Sequence, residues 1–168
     1  MGMVSDVSEP RAAANGTDAW HRRLHHTGHE QLSEDTAQTP GMRRYEAISG
    51  ACNGSRKIWM GESHIAPAMI SGDHHHGEAE TGIYVVRGHP VFVFLEDDIE
   101  RRVETGPGDY VYVPPYVPHR EENPSPSEAA VVVLARSTQD GIVVNLPSLR
   151  AEVPELDALI AELTQDAG

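Results

Sequence analysis

The chain has 168 residues, 39% hydrophobic and 23% charged, enough for one domain with a core and a tail but not for two large domains. Its 13 basic residues against 26 acidic ones give a formal charge of -13, which repels phosphate backbones and anionic lipid and excludes nucleic acid and membrane surfaces as expected partners. The longest purely apolar run, Ala129–Ala135, is far short of the ~20 residues of a spanning helix, and Cys52, the only cysteine, excludes an internal disulfide and a cysteine-based zinc cage.

No basic and apolar leader pattern opens the chain, so a cytoplasmic location is expected. Residues 1–40 are rich in small and polar side chains and read as a flexible tail, with Met1–Gly16 disordered for want of anything to bury. Asp18–Ser33 has the pattern of a short helix capped by Thr17 or Asp18. It would set His21, His25 and His29 on one face at a spacing that can bind a metal. The plainer reading, a solvated polar tail, is preferred.

From Tyr45 onward short segments alternate with Gly, Pro, Asp and Asn. The expected strands are Glu46–Ser49, Lys57–Gly61, Ala66–Ile70, Thr81–Arg87, Val91–Leu95, Arg101–Glu104, Tyr110–Val113, His119–Glu122, Ala129–Ala135 and Ile142–Leu146. Short strands at even spacing predict an all-β sandwich, barrel or jelly roll over residues 41–150. Val91–Leu95 and Ala129–Ala135 are apolar on both faces, as strands between two sheets are. Arg43-Arg44 and Arg101-Arg102 are isolated pairs beside acids and read as solvated charge. Residues 151–168 hold a C-terminal helix: Pro154 suits a first turn, and Leu156, Leu159, Ile160 and Leu163 form one apolar face to pack on the sheets or a partner subunit.

The histidines carry the chemistry. His74, His75 and His76 follow Ser71-Gly72-Asp73 and precede Glu78 and Glu80. On an extended chain alternate side chains share a face, so His74 and His76 can hold one ion while His75 points away. Gly77 permits a bend that would return Glu80 to the same ion. His119, after the stiff Val113-Pro114-Pro115-Tyr116-Val117-Pro118 turn, supplies a fourth donor. Three imidazoles and a carboxylate suit one divalent transition metal, Zn, Fe(II), Mn, Ni or Co, with open positions for water or substrate.

The stretch Ser71–Asn123 resembles the cupin superfamily, and the likeness extends over roughly residues 45–147. Cupins carry G-x5-H-x-H-x(3,4)-E-x6-G and then G-x5-P-x-G-x2-H-x3-N. Here the first reads His74-x-His76-x3-Glu80, closing at Gly88; the second reads Gly108-x5-Pro114, then His119-x3-Asn123. The resemblance implies a double-stranded β-helix, or jelly-roll barrel, with the metal held by His74, His76, Glu80 and His119. Three departures stand out: Ala68 and Tyr116 occupy glycine positions, and seven residues rather than six separate Glu80 from Gly88. Counted back from Gly88, the carboxylate position falls on Thr81 and the histidine positions on His75 and Gly77, so Glu80 needs a bulge to face inward. His75 in place of His74, or water in place of Glu80, stays open.

The barrel wall is expected to draw on Met69, Ile83 or Tyr84, Phe92 or Phe94, and Tyr110 or Tyr112; Met69, Tyr84, Phe92, Phe94 and Tyr112 are the candidate substrate contacts. Glu80, with His64 or Glu78 at the rim, is the candidate catalytic group. Trp59 and Tyr45 are expected on an outer sheet face or at a subunit contact. Arg120 should point away from the metal, and no Arg or Lys stands in an obvious position to grip a phosphate. The His-His-His-Gly-Glu run also looks like the small bacterial cupins of polyketide assembly, which cyclise poly-β-keto chains around Zn(II). The implied activity is a metalloenzyme on a small organic substrate, diketone-like or polyketide, either a redox-neutral cyclase, isomerase or lyase or a dioxygenase. The alternative is a non-catalytic cupin that binds metal or a small ligand. The resemblance also implies a homodimer formed through edge strands.

Overall fold

The computed structural model describes residues 20–139 and 142–166, so the stretch expected to be disordered, Met1–Gly16, lies outside it. The helix expected over Asp18–Ser33 does not form in its described part. Trp20–Arg22 and His29–Gln31 are single 3-10 turns with extended chain between them, and His21, His25 and His29 share no helical face. Few large apolar residues line this segment, and backbone pairing takes their place. Ser33 exchanges two backbone hydrogen bonds with Glu46, and the Thr27 hydroxyl donates to the Ala47 carbonyl at 3.0 Å.

Eleven strands follow among the described residues: β1 (Met42–Ile48), β2 (Trp59–Ile65), β3 (Met69–Ile70), β4 (His74–His75), β5 (Thr81–Arg87), β6 (Val91–Glu96), β7 (Ile99–Glu104), β8 (Tyr110–Val113), β9 (His119–Asn123), β10 (Ala130–Arg136) and β11 (Val144–Asn145). They form two antiparallel sheets, ordered β1-β2-β10-β5-β8 and β11-β4-β9-β6-β7, with β3 also paired to β9. The fold is all-β, a jelly-roll barrel with its core between the sheets. A one-turn helix, α1 (Gly50–Asn53), caps β1, with the Ser49 hydroxyl accepting from the Ala51 and Cys52 amides.

Alternation sets what faces inward. On β2, Trp59, Gly61, Ser63 and Ile65 are buried while Met60, Glu62 and His64 lie outside; on β5, Thr81, Ile83 and Val85 are buried. Trp59, Ile83, Val85, Phe92, Val113, Val132 and Leu134 make the main apolar cluster. Trp59 is therefore core and not, as expected, an outer-face residue. Gly61, next inward on the same face, makes room for it: a Cβ there would lie 2.7 Å from the indole. Tyr45 does lie on the outer face, its ring 4.9 Å from that of His64.

The turns explain two departures from the motif pattern. Ala68 (φ 53°) and Tyr116 (φ 63°) adopt the left-handed conformation natural to glycine. Asp97 and Asp98 both take positive φ in the two-residue turn between β6 and β7, where the strand twist demands it. Asn123, the last motif residue, ties the end of β2 to the segment before β10, donating from Nδ2 to the carbonyls of Ile65, Ala66 and Glu128 at 2.7–3.2 Å.

The terminal helix α2 (Pro154–Asp166) begins at its proline as expected, but buries no residue fully. Leu149 and Val153, just before it, are buried; Leu156 and Leu159 are half-buried, and Ile160 and Leu163 are exposed. The expected packing of its apolar face on the sheets is limited to its first turns. Among the described residues, no helix is long and apolar enough to cross a membrane.

Candidate metal centre

His74 and His119 are cross-strand partners on β4 and β9, and His76 follows two residues beyond His74 on the same side. All three are buried. Ring centroids lie 4.5 Å apart for His74 and His119, 4.7 Å for His76 and His119, and 5.3 Å for His74 and His76. One nitrogen of each lies within 4.8 Å of the others. His75 turns away as strand alternation requires: its ring sits 5.9 Å from Tyr116, and its Nδ1 accepts the Gly77 amide at 2.9 Å.

The other ring nitrogen fixes each tautomer. His74 Nδ1–H donates to the Gly72 carbonyl and His119 Nδ1–H to the Val117 carbonyl, both at 2.9 Å. His76 Nδ1 lies 2.9 Å from the Thr81 hydroxyl, which accepts its proton in the matching tautomer. The three Nε2 atoms are left buried without a protein partner, with their lone pairs converging. Burial holds His74 and His119 down at about 4 and His76 well below the ordinary histidine range, so all three are neutral at pH 7. Neutral, oriented, converging imidazoles with second-nitrogen hydrogen bonds fit a divalent transition metal.

Glu80 stands apart from this group. Strand β5 starts at Thr81 in regular register with β8 and β10, with no bulge at its start. Thr81 therefore points in and Glu80 out, where it is exposed and accepts the Tyr112 hydroxyl proton at 2.8 Å. Counting back from Gly88 gives the side-chain direction that the structure shows, and the bend at Gly77 does not bring the carboxylate back. The extra residue is taken up in the turn, where the Ala79 amide bonds the His76 carbonyl.

The other candidates divide by face. A cavity of about 330 Å³ opens onto His119 and is walled by Phe92, Phe94, Val103, Val111 and Val113, with Tyr112 and Glu96 also lining it. Phe92, Phe94 and Tyr112 thus stand where substrate contacts were expected. Tyr84 does not: it follows inward Ile83, faces outward and meets the Tyr110 ring at a tilt, with centroids 4.9 Å apart. Met69 packs instead against the Met42, Ile65 and Ala130 cluster. His64 is on the outer face of β2, bonded to Glu62 at 2.9 Å, and Glu78 is exposed in the Gly77 turn, so neither reaches the imidazoles. Arg120 points outward to Glu122, Glu100 and Asp73, as expected.

Three inward polar residues were missed. Arg44, read as solvated charge, is 1% exposed; Arg136 is 2% and Glu121 1% exposed. Parity carries the signal. Glu121 is two residues from His119 on one strand, and Arg44 shares the inward face with Met42 and Glu46 once β1 is started four residues earlier. Burial pushes both guanidiniums down, Arg136 to about 10, while Glu121 opposes the effect.

Residues 61–135 match the family model for the cupin domain. No curated protein matches the chain. Among solved structures, the chain is similar to the polyketide cyclase RemF of Streptomyces resistomycificus, at 19% identity and a TM-score of 0.61, over 74% of this chain and 86% of that one. It is also similar to Bacillus subtilis oxalate decarboxylase, at 23% identity and a TM-score of 0.58, over 76% of this chain and 33% of that one. An oxalate oxidase in complex with the substrate analogue glycolate matches at 18% identity and a TM-score of 0.57, covering 77% and 72% of the two chains. The chain spans about a third of the decarboxylase, and at these identities the likeness is one of fold. Barrel topology, the histidines of both motifs and the family match agree on a cupin domain in this chain, matched over residues 61–135.

Proposed function

We propose that the protein is a metal-dependent enzyme that performs redox-neutral carbonyl chemistry on a small organic substrate. The observation that carries this reading is the convergence of three buried, partnerless Nε2 atoms beside an apolar cavity. His74, His76 and His119 would hold a divalent ion, which would supply a Lewis acid for a carbonyl or enolate oxygen. Three neutral imidazoles leave the ion its full charge, unlike the two-histidine, one-carboxylate set of non-haem iron oxygenases, and this favours the cyclase, isomerase or lyase branch over a dioxygenase. The likeness of fold to a polyketide cyclase agrees with a diketone-like substrate.

The protein's own groups have separate tasks. The Gly72 and Val117 carbonyls and the Thr81 hydroxyl orient the rings. Phe92, Phe94, Val111 and Val113 take the apolar body of the substrate and exclude water. The test is elemental analysis of protein purified without metal-chelating resin, with O2 uptake followed on adding a β-diketone. Stoichiometric zinc without O2 consumption, and loss of metal in His119→Ala, are expected. Iron or manganese with O2 uptake would move the assignment to a dioxygenase; stoichiometric metal with no turnover of diketones would favour a binding module. We also propose a cytoplasmic homodimer; sedimentation equilibrium showing a monomer at micromolar concentration would refute the dimer.

A further inference from the structure

Two guanidinium groups stand inside the barrel beside the imidazoles. Arg44 projects from β1 opposite Ser63 of β2. Arg136 projects from β10 opposite Thr81 of β5, whose hydroxyl bonds His76. Each is tethered through Nη1 to a backbone carbonyl, Arg44 to Ala37 at 3.0 Å and Arg136 to Ile142 at 3.3 Å. Arg136 also lies over the Trp59 ring, its guanidinium carbon 5.4 Å from the centroid. Arg136 Nε and Nη2 are buried without a partner, as are Arg44 Nε, Ser63 Oγ and Glu121 Oε2. Nε–H and Nη2–H form one edge of the guanidinium, the edge that a carboxylate bridges with two parallel hydrogen bonds.

Among the described residues neither guanidinium has a carboxylate in ion-pair contact. Both guanidiniums feel Glu121, and Arg136 also feels Arg44. Glu121 lies on β9 of the facing sheet, and Glu46, the buried carboxylate on the sheet that carries both arginines, has its oxygens taken by the neutral donors Ser49, Cys52 and the Trp59 indole. Two buried cations therefore stand among two carboxylates that bridge neither of them, next to a site that would add a further positive ion. Water can satisfy an N–H but carries no charge, and an uncompensated buried cation is strongly unfavourable.

We propose that Arg44 and Arg136 form a carboxylate-binding subsite beside the three histidines, so that the substrate is a carboxylic acid anion. The subsite itself stands on the arginines alone; only its assignment to the substrate rests on the metal-enzyme reading above. The guanidinium edge of Arg136 grips the carboxylate, Arg44 supplies the second charge, and the apolar remainder of the ligand lies in the cavity beyond His119.

Trp59 reports on the site because Arg136 lies over its ring. The experiment titrates metal-free and metal-loaded protein with acetate, and separately with acetamide and chloride, at fixed ionic strength, following the indole N–H resonance of Trp59. A saturable shift with acetate and none with acetamide is expected. Arg136→Gln and Arg44→Gln should each raise the acetate dissociation constant about tenfold or more, while metal per chain stays unchanged. An equal response to acetamide, no response in the wild-type protein, or unchanged acetate affinity in both variants overturns the proposal. Chloride binding as tightly as acetate also overturns it, since the site would then be one for a counter-ion. If the glutamine variants fail to fold, the wild-type comparison of the three probes decides alone. Acetate binding without metal uptake refutes the metalloenzyme and leaves the subsite standing; metal uptake without acetate binding does the reverse.

Discussion

At the scale of single residues, the site turns on side-chain parity. Glu80 and Thr81 are neighbours, and the regular β5 register sends one out and the other in. Glu80→Gln should accordingly leave bound metal within experimental error of wild type, while His76→Ala should abolish it; elemental analysis of both proteins checks this. Thr81→Val removes the acceptor that orients His76 and should weaken metal binding by about 10–100-fold, measured by competition with a chelator. The depressed histidines also make the metal-free protein acid-sensitive. Unfolded histidines bind protons near 6.5, whereas folded His74 and His119 do so only near 4. Stability is thus complete above pH 6.5 and falls as pH drops from 6.5 towards 4, by about 3 kcal/mol for each of these two rings. Urea denaturation across this range should show the midpoint falling; a flat profile would contradict neutral burial. The histidine triad was legible from alternation and motif spacing, because both are properties of the chain itself. Thr81 was legible as a count and Glu121 as a parity, but the choice of Glu80 followed donor chemistry and not the register.

At the scale of elements, β5 (Thr81–Arg87) and β8 (Tyr110–Val113) coincide with their sequence-based boundaries because glycine, proline and aspartate turns fix both ends. The strands around β2 and β3 do not. No apolar alternation marks Met60, Glu62 and His64, whose neighbours Trp59, Gly61, Ser63 and Ile65 carry the buried face with only two large apolar side chains. A strand built partly of Gly and Ser inside a barrel gives little hydrophobic signal. The N-terminal helix failed for the complementary reason: propensity and spacing were present, but no apolar face was. Besides the Asp97-Asp98 turn, two turns hold non-glycine residues at positive φ, Ala68 and Tyr116, where a side chain costs about 1–2 kcal/mol. Ala68→Gly should recover much of this and raise the melting temperature by a few degrees in calorimetry. Tyr116→Gly gains less, because it gives up the contact of Tyr116 with His75.

At the scale of the whole molecule, the fold was legible in the sequence and the interior was not. Evenly spaced strands, double-faced apolar runs and two ordered motifs determine a β-barrel. The barrel's interior charge depends on where β1 and β10 begin and end: starting β1 at Met42 and ending β10 at Arg136 moves two arginines from solvent to core. The helix α2 contributes little to this whole, since none of its side chains is fully buried. Removing residues 154–168 should change the unfolding free energy by less than about 1 kcal/mol. A larger loss in denaturant titration would show that the helix face is covered in solution by another chain.

The buried arginines lie inside an envelope whose formal charge is -13. An approaching anion meets repulsion at long range and attraction only once it is within the barrel, so its capture is kinetically opposed by the surface and thermodynamically favoured by the centre. Added salt shortens the reach of the repulsion more than it weakens the sheltered attraction. Encounter rates for anionic ligands should therefore rise with ionic strength, the inverse of electrostatic steering, and neutral ligands of the same shape should show no such dependence.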